Sequence, residues 1–369
     1  MIRLSKSSIG KNVKQAVVGV LDREYLGMGQ EVEEFELALT KYLDRTAICV
    51  SNGTAALHLA LQGIGVTNGD EVLVQSLTYV ASFQAISATG AKPVACEINP
   101  KTLTIDLKDA ERRITSRTKA IMPVHYAGAV GDLDEIYIFA KKHKLRVIED
   151  AAHAFGTIYN GKLIGSFGDI VCFSFDGIKN LTCGEGGCIV SKDKNLLSSI
   201  CDARLLGVHK DTENRFAGKR SWEFDVTNQG WRYHMSNIMA AIGIEQLKNF
   251  QKVVKKRQYL AKQYDNYLST NKNISFFNIN YDHVVPHIYV ILLPKNIDRE
   301  KIRQKMLELG VQTGIHWQPN HLLTIYNLHN NELPVTESLF PRLLTLPLHL
   351  DLSNEDIKFV CNSLSSQLL

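Results

Sequence analysis

Asp150, His153, Ser174 and Lys179 stand close together in this chain and have the types needed to hold and activate an aldehyde. An amine forms a Schiff base with an aldehyde, so Lys179, the lysine just beyond the second apolar run, is the candidate catalytic residue. Pyridoxal 5'-phosphate is the common protein-bound aldehyde. It needs a carboxylate against its pyridine nitrogen, because a protonated ring draws electrons from a carbanion better than a neutral one. Asp150, at the end of a strand expected over 145–149, can supply that charge. His153 can hydrogen-bond the ring hydroxyl, and the Ser174 hydroxyl can reach the phosphate. Singly, such residues are more often caps or solvated surface charges. Their order at the ends of two apolar runs points instead to strand tips converging on a pocket.

The elements that must position them alternate. A short strand at 47–50 precedes Ser-Asn-Gly-Thr, which opens a helix reaching about 61. Backbone amides at a helix start are unpaired and the dipole is positive there, so Gly53, Thr54 and Ala55 suit a phosphate; an ordinary capped helix uses the same residues. A strand follows at 71–75, with Tyr79 at the next strand-to-helix turn. Segments at 92–96, 107–114, 120–125 and 133–143 continue an alternation that implies an α/β fold, a mostly parallel sheet flanked by helices. The glycines at 184–187 read as a flexible turn, which either lets backbone approach a ligand or makes a tight hairpin. Residues 209–222 turn polar and charged. With Arg215 and Arg220 they suit a mobile loop meeting a diphosphate, or a solvated loop without function. A long helix is expected from about 237 into the basic stretch 252–257, read as an exposed face and a connector into a second domain.

Length and composition bound the rest. A chain of 369 residues has room for two domains with a sizeable core. A net charge of +4, from 42 Lys plus Arg against 38 Asp plus Glu, is too mild to imply nucleic acid. The seven cysteines lack paired metal-ligand spacing, and Cys49, Cys96 and Cys172 lie in apolar runs, which points to reduced core thiols and a reducing compartment. No metal is expected. With no apolar run of membrane-spanning length and no signal-like N-terminus, the expectation is a cytoplasmic protein that meets no membrane.

Glu-Asp-Ala-Ala-His at 149–153, Phe-Ser-Phe at 173–175 with Lys-Asn at 179–180, and Gly-Glu-Gly-Gly at 184–187 together resemble the DegT-like nucleotide-sugar aminotransferases. The resemblance continues through Ser-Asn-Gly-Thr-Ala-Ala-Leu at 51–57, Gly-Asp-Glu-Val at 69–72 and Pro-Val-His-Tyr-Ala-Gly at 123–128. It implies a fold-type I pyridoxal phosphate enzyme with a large cofactor-binding domain, residues 1–245, and a connector helix plus smaller C-terminal α+β domain, residues 246–369. It also implies that the 53–55 amides cradle the phosphate and that Tyr79 stacks on the pyridine ring. In many family members Asn stands where Arg232 does and Arg where His234 does, and that Asn reaches the partner subunit's cofactor phosphate. Arg232 is a charged fork that can still pair with phosphate. The arrangement implies a homodimer with active sites at the subunit interface. His316 and His321 fall in the family's histidine-rich motif near the sugar nucleotide, with Trp317 where Tyr is usual.

The resulting expectation is an aminotransferase that takes nitrogen from L-glutamate, carries it as pyridoxamine 5'-phosphate, and delivers it to a nucleotide-linked keto-6-deoxyhexose. Such products commonly enter surface polysaccharides such as O-antigen and lipopolysaccharide, or glycosides. A pyridoxamine-dependent sugar dehydratase of the same fold typically has His in place of Lys179. A non-catalytic cofactor-binding regulator would not need Asp150, Ser174 and Lys179 together. No Gly-x-Gly-x-x-Gly follows an early strand, against a Rossmann oxidoreductase.

Overall fold

The structure, a computed structural model, describes residues 1–327 and 333–368. The chain builds β1 (Ala47–Val50), β2 (Glu71–Gln75), β3 (Lys92–Cys96), β4 (Thr118–Met122) and β5 (Arg146–Asp150). After a small hairpin of β6 (Ile158–Tyr159) and β7 (Lys162–Leu163) come β8 (Ile170–Ser174) and β9 (Gly187–Ser191). Seven of these form one sheet in the order β1-β9-β8-β5-β4-β2-β3. It is parallel from β8 to β3, and β9 runs antiparallel to both of its neighbours.

Successive residues of a strand point to opposite faces, and both faces here are apolar. Val147, Val171 and Phe173 enter one core with Phe35, Leu39 and Leu43 of helix Gln30–Leu43 and Ile136 and Phe139 of helix Leu133–His143. Ile148, Ile170 and Cys172 enter the other with Leu57 and Leu61 of helix Gly53–Gly63 and Phe83 and Ile86 of helix Val80–Ala88. The mostly parallel, helix-flanked sheet expected from the alternation is therefore present.

The C-terminal part carries a three-stranded antiparallel sheet of β10 (Ser275–Phe276), β11 (Tyr289–Leu292) and β12 (Leu343–Leu346). Its core joins Leu260 and Tyr264 of helix Phe250–Leu268, Ile302 of helix Arg299–Glu308 and Ile357 of helix Asn354–Ser366. Packing crosses the division expected at 245/246. Ile2 pairs with Val311, and Phe250 and Val253 belong to the larger core. Among the described residues, no helix is long and apolar enough to cross a membrane.

Three local expectations are corrected. The polar segment 209–222 contains a short helix, Asp211–Phe216, closed by an Arg215–Asp211 ion pair at 2.6 Å. The helix from 237 stops at Lys248 and restarts at Phe250, with Asn249 between the two. The basic stretch 252–257 is not wholly solvated, because Arg257 is buried and donates to the carbonyls of Pro286 and His287 at 3.2 and 3.1 Å.

Candidate active site

In a parallel sheet every strand delivers its carboxyl end to the same edge, and loops there meet in a crevice. Asp150 closes β5 and Ser174 closes β8, so both arrive at that edge. They line a cavity of about 490 Å³ together with Gly53, Thr54, Tyr79, His153 and Lys179. Lys179 follows β8 on a turn in which its amide donates to the Asp176 carbonyl at 3.0 Å. Asn180 ties this turn to the C-terminal part by donating to the Val285 carbonyl at 3.2 Å.

Enclosure pulls the Lys179 amine down to about 8, because an ammonium loses hydration there; Asp150 and Asp176 pull the other way, and Arg257 adds to the lowering. Asp150 is buried and held in one orientation. Its Oδ2 accepts from the Ser82 hydroxyl at 2.7 Å and its Oδ1 from the Ala152 amide at 3.2 Å, while Ser82 lies 2.9 Å from the Thr78 hydroxyl. Ser82 was not anticipated. Its available signal was its place one helical turn after Thr78, at the junction that also carries Tyr79.

At the other end of the cavity, Asn52 caps the helix Gly53–Gly63 by accepting from the Ala55 amide at 2.8 Å. Ala55 is thus engaged within the protein, and the amides of Gly53 and Thr54 are the donors left at the cavity. The approach of this helix start to β8 is tight. A Cβ on Gly53 would lie 2.9 Å from Ser174 Cβ, and one on Gly187 would lie 2.7 Å from the Asn52 backbone. The second closeness gives that member of the glycine turn a packing role against the helix start.

One wall is made of rings. His153 packs on His287 with centroids 4.4 Å apart, and Tyr79 packs on Trp317 at 4.7 Å. His316 sits behind this wall, with Nδ1 2.8 Å from the Thr345 hydroxyl. Burial, then proximity to Lys179, pushes His153 and His287 well below the ordinary imidazole range and His316 to about 4, so all three are neutral. His287 and Arg257 were missed because nothing local marks them; they reach the site through the fold.

The remaining candidates lie outside the cavity lining. His321 bridges Ser76, at 2.6 Å, and Glu337, at 3.1 Å, and so fastens the 316–321 segment to the strand-to-helix turn after β2. Arg215 is occupied by Asp211, and Arg220 is exposed. Arg232 pairs through its backbone with Leu205, and it and Arg215 flank His234, whose imidazole falls to about 4 through burial and these cations. No arginine is among the residues lining the cavity.

The donor set suits a flat phosphorylated aldehyde. Two free helix-start amides and a serine hydroxyl face one end, a fixed carboxylate stands against the sheet, a neutral histidine lies beside it, and an enclosed amine lies within reach. These residues fit pyridoxal phosphate, whose phosphate, ring nitrogen, hydroxyl and aldehyde need those partners.

The model of the DegT/DnrJ/EryC1/StrS aminotransferase family matches residues 7–365. The spore coat polysaccharide biosynthesis protein SpsC of Bacillus subtilis is 34% identical over 364 residues, covering 95% of this chain and 92% of its own. Among solved structures, the putative sugar aminotransferase Spr1654 of Streptococcus pneumoniae in its PMP form matches with a TM-score of 0.93 and 28% identity over 100% of both chains. PseC of Helicobacter pylori, an aminotransferase involved in pseudoaminic acid biosynthesis, matches with a TM-score of 0.93 and 27% identity over 100% of this chain and 99% of its own.

Proposed function

The chain belongs to the DegT/DnrJ/EryC1/StrS aminotransferase family, and on that premise we propose that it transfers an amino group from L-glutamate to a nucleotide-linked keto-6-deoxyhexose, at the third or fourth ring carbon. The family and the matched structures make it a pyridoxal phosphate-dependent sugar aminotransferase. The observation that carries the reading to individual residues is the enclosed Lys179 amine in the same cavity as the fixed Asp150 carboxylate.

Bound here, pyridoxal phosphate supplies an aldehyde that accepts nitrogen and an electron sink for the carbanion left when a proton departs. Lys179 anchors it and, once released as a neutral amine, moves that proton. Asp150 holds a proton at the ring nitrogen, and Ser82 keeps its carboxylate aimed. His153, being neutral, can hydrogen-bond the ring hydroxyl. Gly53, Thr54 and Ser174 hold the phosphate, with Ala55 supporting the helix start, and Tyr79 covers the ring beside Trp317. The presence of Lys179 disfavours the dehydratase alternative.

The same reading makes the protein a homodimer. Among the described residues, no arginine lines the cavity that would take the phosphate, and the segment carrying Arg232 also presents exposed Trp222, Phe224 and Val226, the apolar surface a second subunit would cover. Arg232 of the second copy is then the cation for the phosphate. Arg220, exposed and unlike Arg215 not tied to Asp211, is the arginine assigned to the nucleotide diphosphate, and His316 orders the wall facing the sugar. The free, mostly buried cysteines support a cytoplasmic location. The likeness to SpsC, a spore coat polysaccharide biosynthesis protein, supports a product destined for surface polysaccharide, while O-antigen and lipopolysaccharide are proposed on the family resemblance alone.

The test is the visible spectrum of the purified protein before and after excess L-glutamate, beside Lys179→Ala. A lysine-dependent band that glutamate bleaches, and that one member of a panel of keto sugar nucleotides restores, establishes both half-reactions. A band indifferent to glutamate and other amino donors rejects the reading.

A further inference from the structure

Lys179 is the residue whose charge state the proposed chemistry depends on, so each group facing it matters. Asp150 faces it from β5 and Asp176 from its own turn; Arg257 lies behind it on helix Phe250–Leu268, and His153 and His316 stand near. Among the described residues, one side chain comes within hydrogen-bond distance of its amine. His287, just before β11, places Nε2 3.5 Å from Lys179 Nζ across 108 residues of sequence.

We infer that His287 is a positioning residue that donates a hydrogen bond from Nε2–H to the lone pair of the released Lys179 amine, holding that amine neutral until it turns from His287 to the proton it must move. The inference rests on the aminotransferase reading. Its direction follows from the other ring nitrogen. His287 Nδ1 is buried without a partner among the described residues. An orphaned buried N–H is rarer and costlier than an unused lone pair, so the ring proton belongs on Nε2, the nitrogen that has a neighbour. The ring cannot take a second proton easily, because it is packed on His153 and its own backbone carbonyl is capped by the Arg257 guanidinium. A neutral donor aimed at an amine favours the neutral amine over the ammonium, which has no lone pair to accept with. The ring's stacking also restricts where Nε2 can point. The C-terminal part of the chain thereby reaches across the cavity to set the proton state of a residue on the large sheet.

The experiment uses the full-length protein loaded with pyridoxamine phosphate, in which the lysine amine is free. Trace acetic anhydride is applied across a pH series and acetylation of Lys179 is read by mass spectrometry, beside the pH profile of amino transfer. His287→Leu is expected to raise the labelling midpoint by about one pH unit, the loss of one ordinary hydrogen bond. The rising limb of the pH profile should move with it. His287→Gln, whose amide can still donate, is expected to keep the midpoint within roughly 0.3 units of the parent. A Leu variant with the parent's midpoint overturns the inference, as does a Gln variant that shifts as far as Leu. If the Leu variant does not fold, His287→Asn, too short to reach the amine, takes its place with the same two outcomes. Because labelling needs no substrate, a midpoint that shifts in a protein unable to transfer any amino group supports the contact while rejecting the aminotransferase reading.

Discussion

The Ser82 hydroxyl donates to Asp150 Oδ2 at 2.7 Å, joining residues 68 apart in sequence, one on the helix after β2 and the other at the end of β5. A carboxylate that must hold a proton on a ring nitrogen has to present a particular oxygen, and Ser82 together with the Ala152 amide leaves it little freedom to turn. Ser82→Ala is expected to lower kcat about tenfold, the scale of one hydrogen bond to a charged group, with a smaller effect on donor KM. Steady-state kinetics check this. An unchanged kcat would mean that Asp150 is held well enough by its backbone contact.

The Lys179 amine, drawn down to about 8 by enclosure, sets a pH dependence with a definite sign. Only the neutral amine accepts a proton. The half-reaction that starts from the pyridoxamine-loaded protein and a keto acceptor should therefore slow about tenfold for each pH unit below the midpoint and level off above it. Rapid mixing over a pH series, following the return of the visible band, measures it. A rate that falls as pH rises would assign the essential group to an acid instead.

Gly53→Ala places a methyl group 2.9 Å from Ser174 Cβ, where neither a helix start nor a strand end yields easily. Cofactor affinity is expected to fall about tenfold as the two phosphate donors move apart, the cost of about one charge-assisted hydrogen bond. Titration of the cofactor-free variant with pyridoxal phosphate reads the change, and an unaltered far-ultraviolet circular dichroism spectrum shows that the fold is kept.

His321 uses both ring nitrogens on Ser76 and Glu337, so its role in this structure is that of a tether. His321→Ala should destabilise the protein by about 1–2 kcal/mol and leave the KM for the sugar nucleotide nearly unchanged. Urea denaturation and acceptor kinetics on one preparation separate the two effects. A large KM change with stability intact would return His321 to the substrate.

Arg204 is wholly buried. It donates to Glu36 and, at 2.7 Å, to the Cys49 carbonyl, while its own carbonyl accepts from the Tyr233 amide at 3.0 Å. Arg204→Ala leaves Glu36 without its buried partner, and a loss of about 3 kcal/mol is expected in urea denaturation. Loosening of the neighbouring Arg232 segment should accompany it, read as faster hydrogen exchange at Tyr233.

Much of the site was readable before any coordinates because its chemistry is carried by residues close in sequence to strand ends. Asp150, Ser174 and Lys179 fall where apolar runs stop, and a parallel sheet brings such stops to one edge. Gly53 and Thr54 were readable for a related reason, since a helix start exposes amides whatever surrounds it. Ala55 was the limit of that argument. Which helix-start amide stays free depends on the cap, and Asn52 takes the one on Ala55.

The residues that escaped are those whose partners lie far along the chain. Arg257 sits in a run of lysines and glutamines that composition reads as solvated, yet its cation turns inward, toward two carbonyls before β11. His287 carries no motif visible by itself. The segment 209–222 looked like loop because its residues are polar, and one ion pair with two buried residues, Asp211 and Thr212, was enough to order part of it as helix.

What the sequence by itself determined is the alternation of strand and helix, hence a parallel sheet with a crevice at its carboxyl edge, and the lysine, carboxylate and helix start that give this crevice its chemistry. These follow from local periodicity and residue type, which act over a few neighbouring positions. Tertiary structure alone decided how those groups are tuned: Ser82 on Asp150, Asn52 on Ala55, and His287 with Arg257 around Lys179. Hydrogen bonds and desolvation act over a few ångströms in space, and no pattern along the chain records which distant residues folding will bring within that distance.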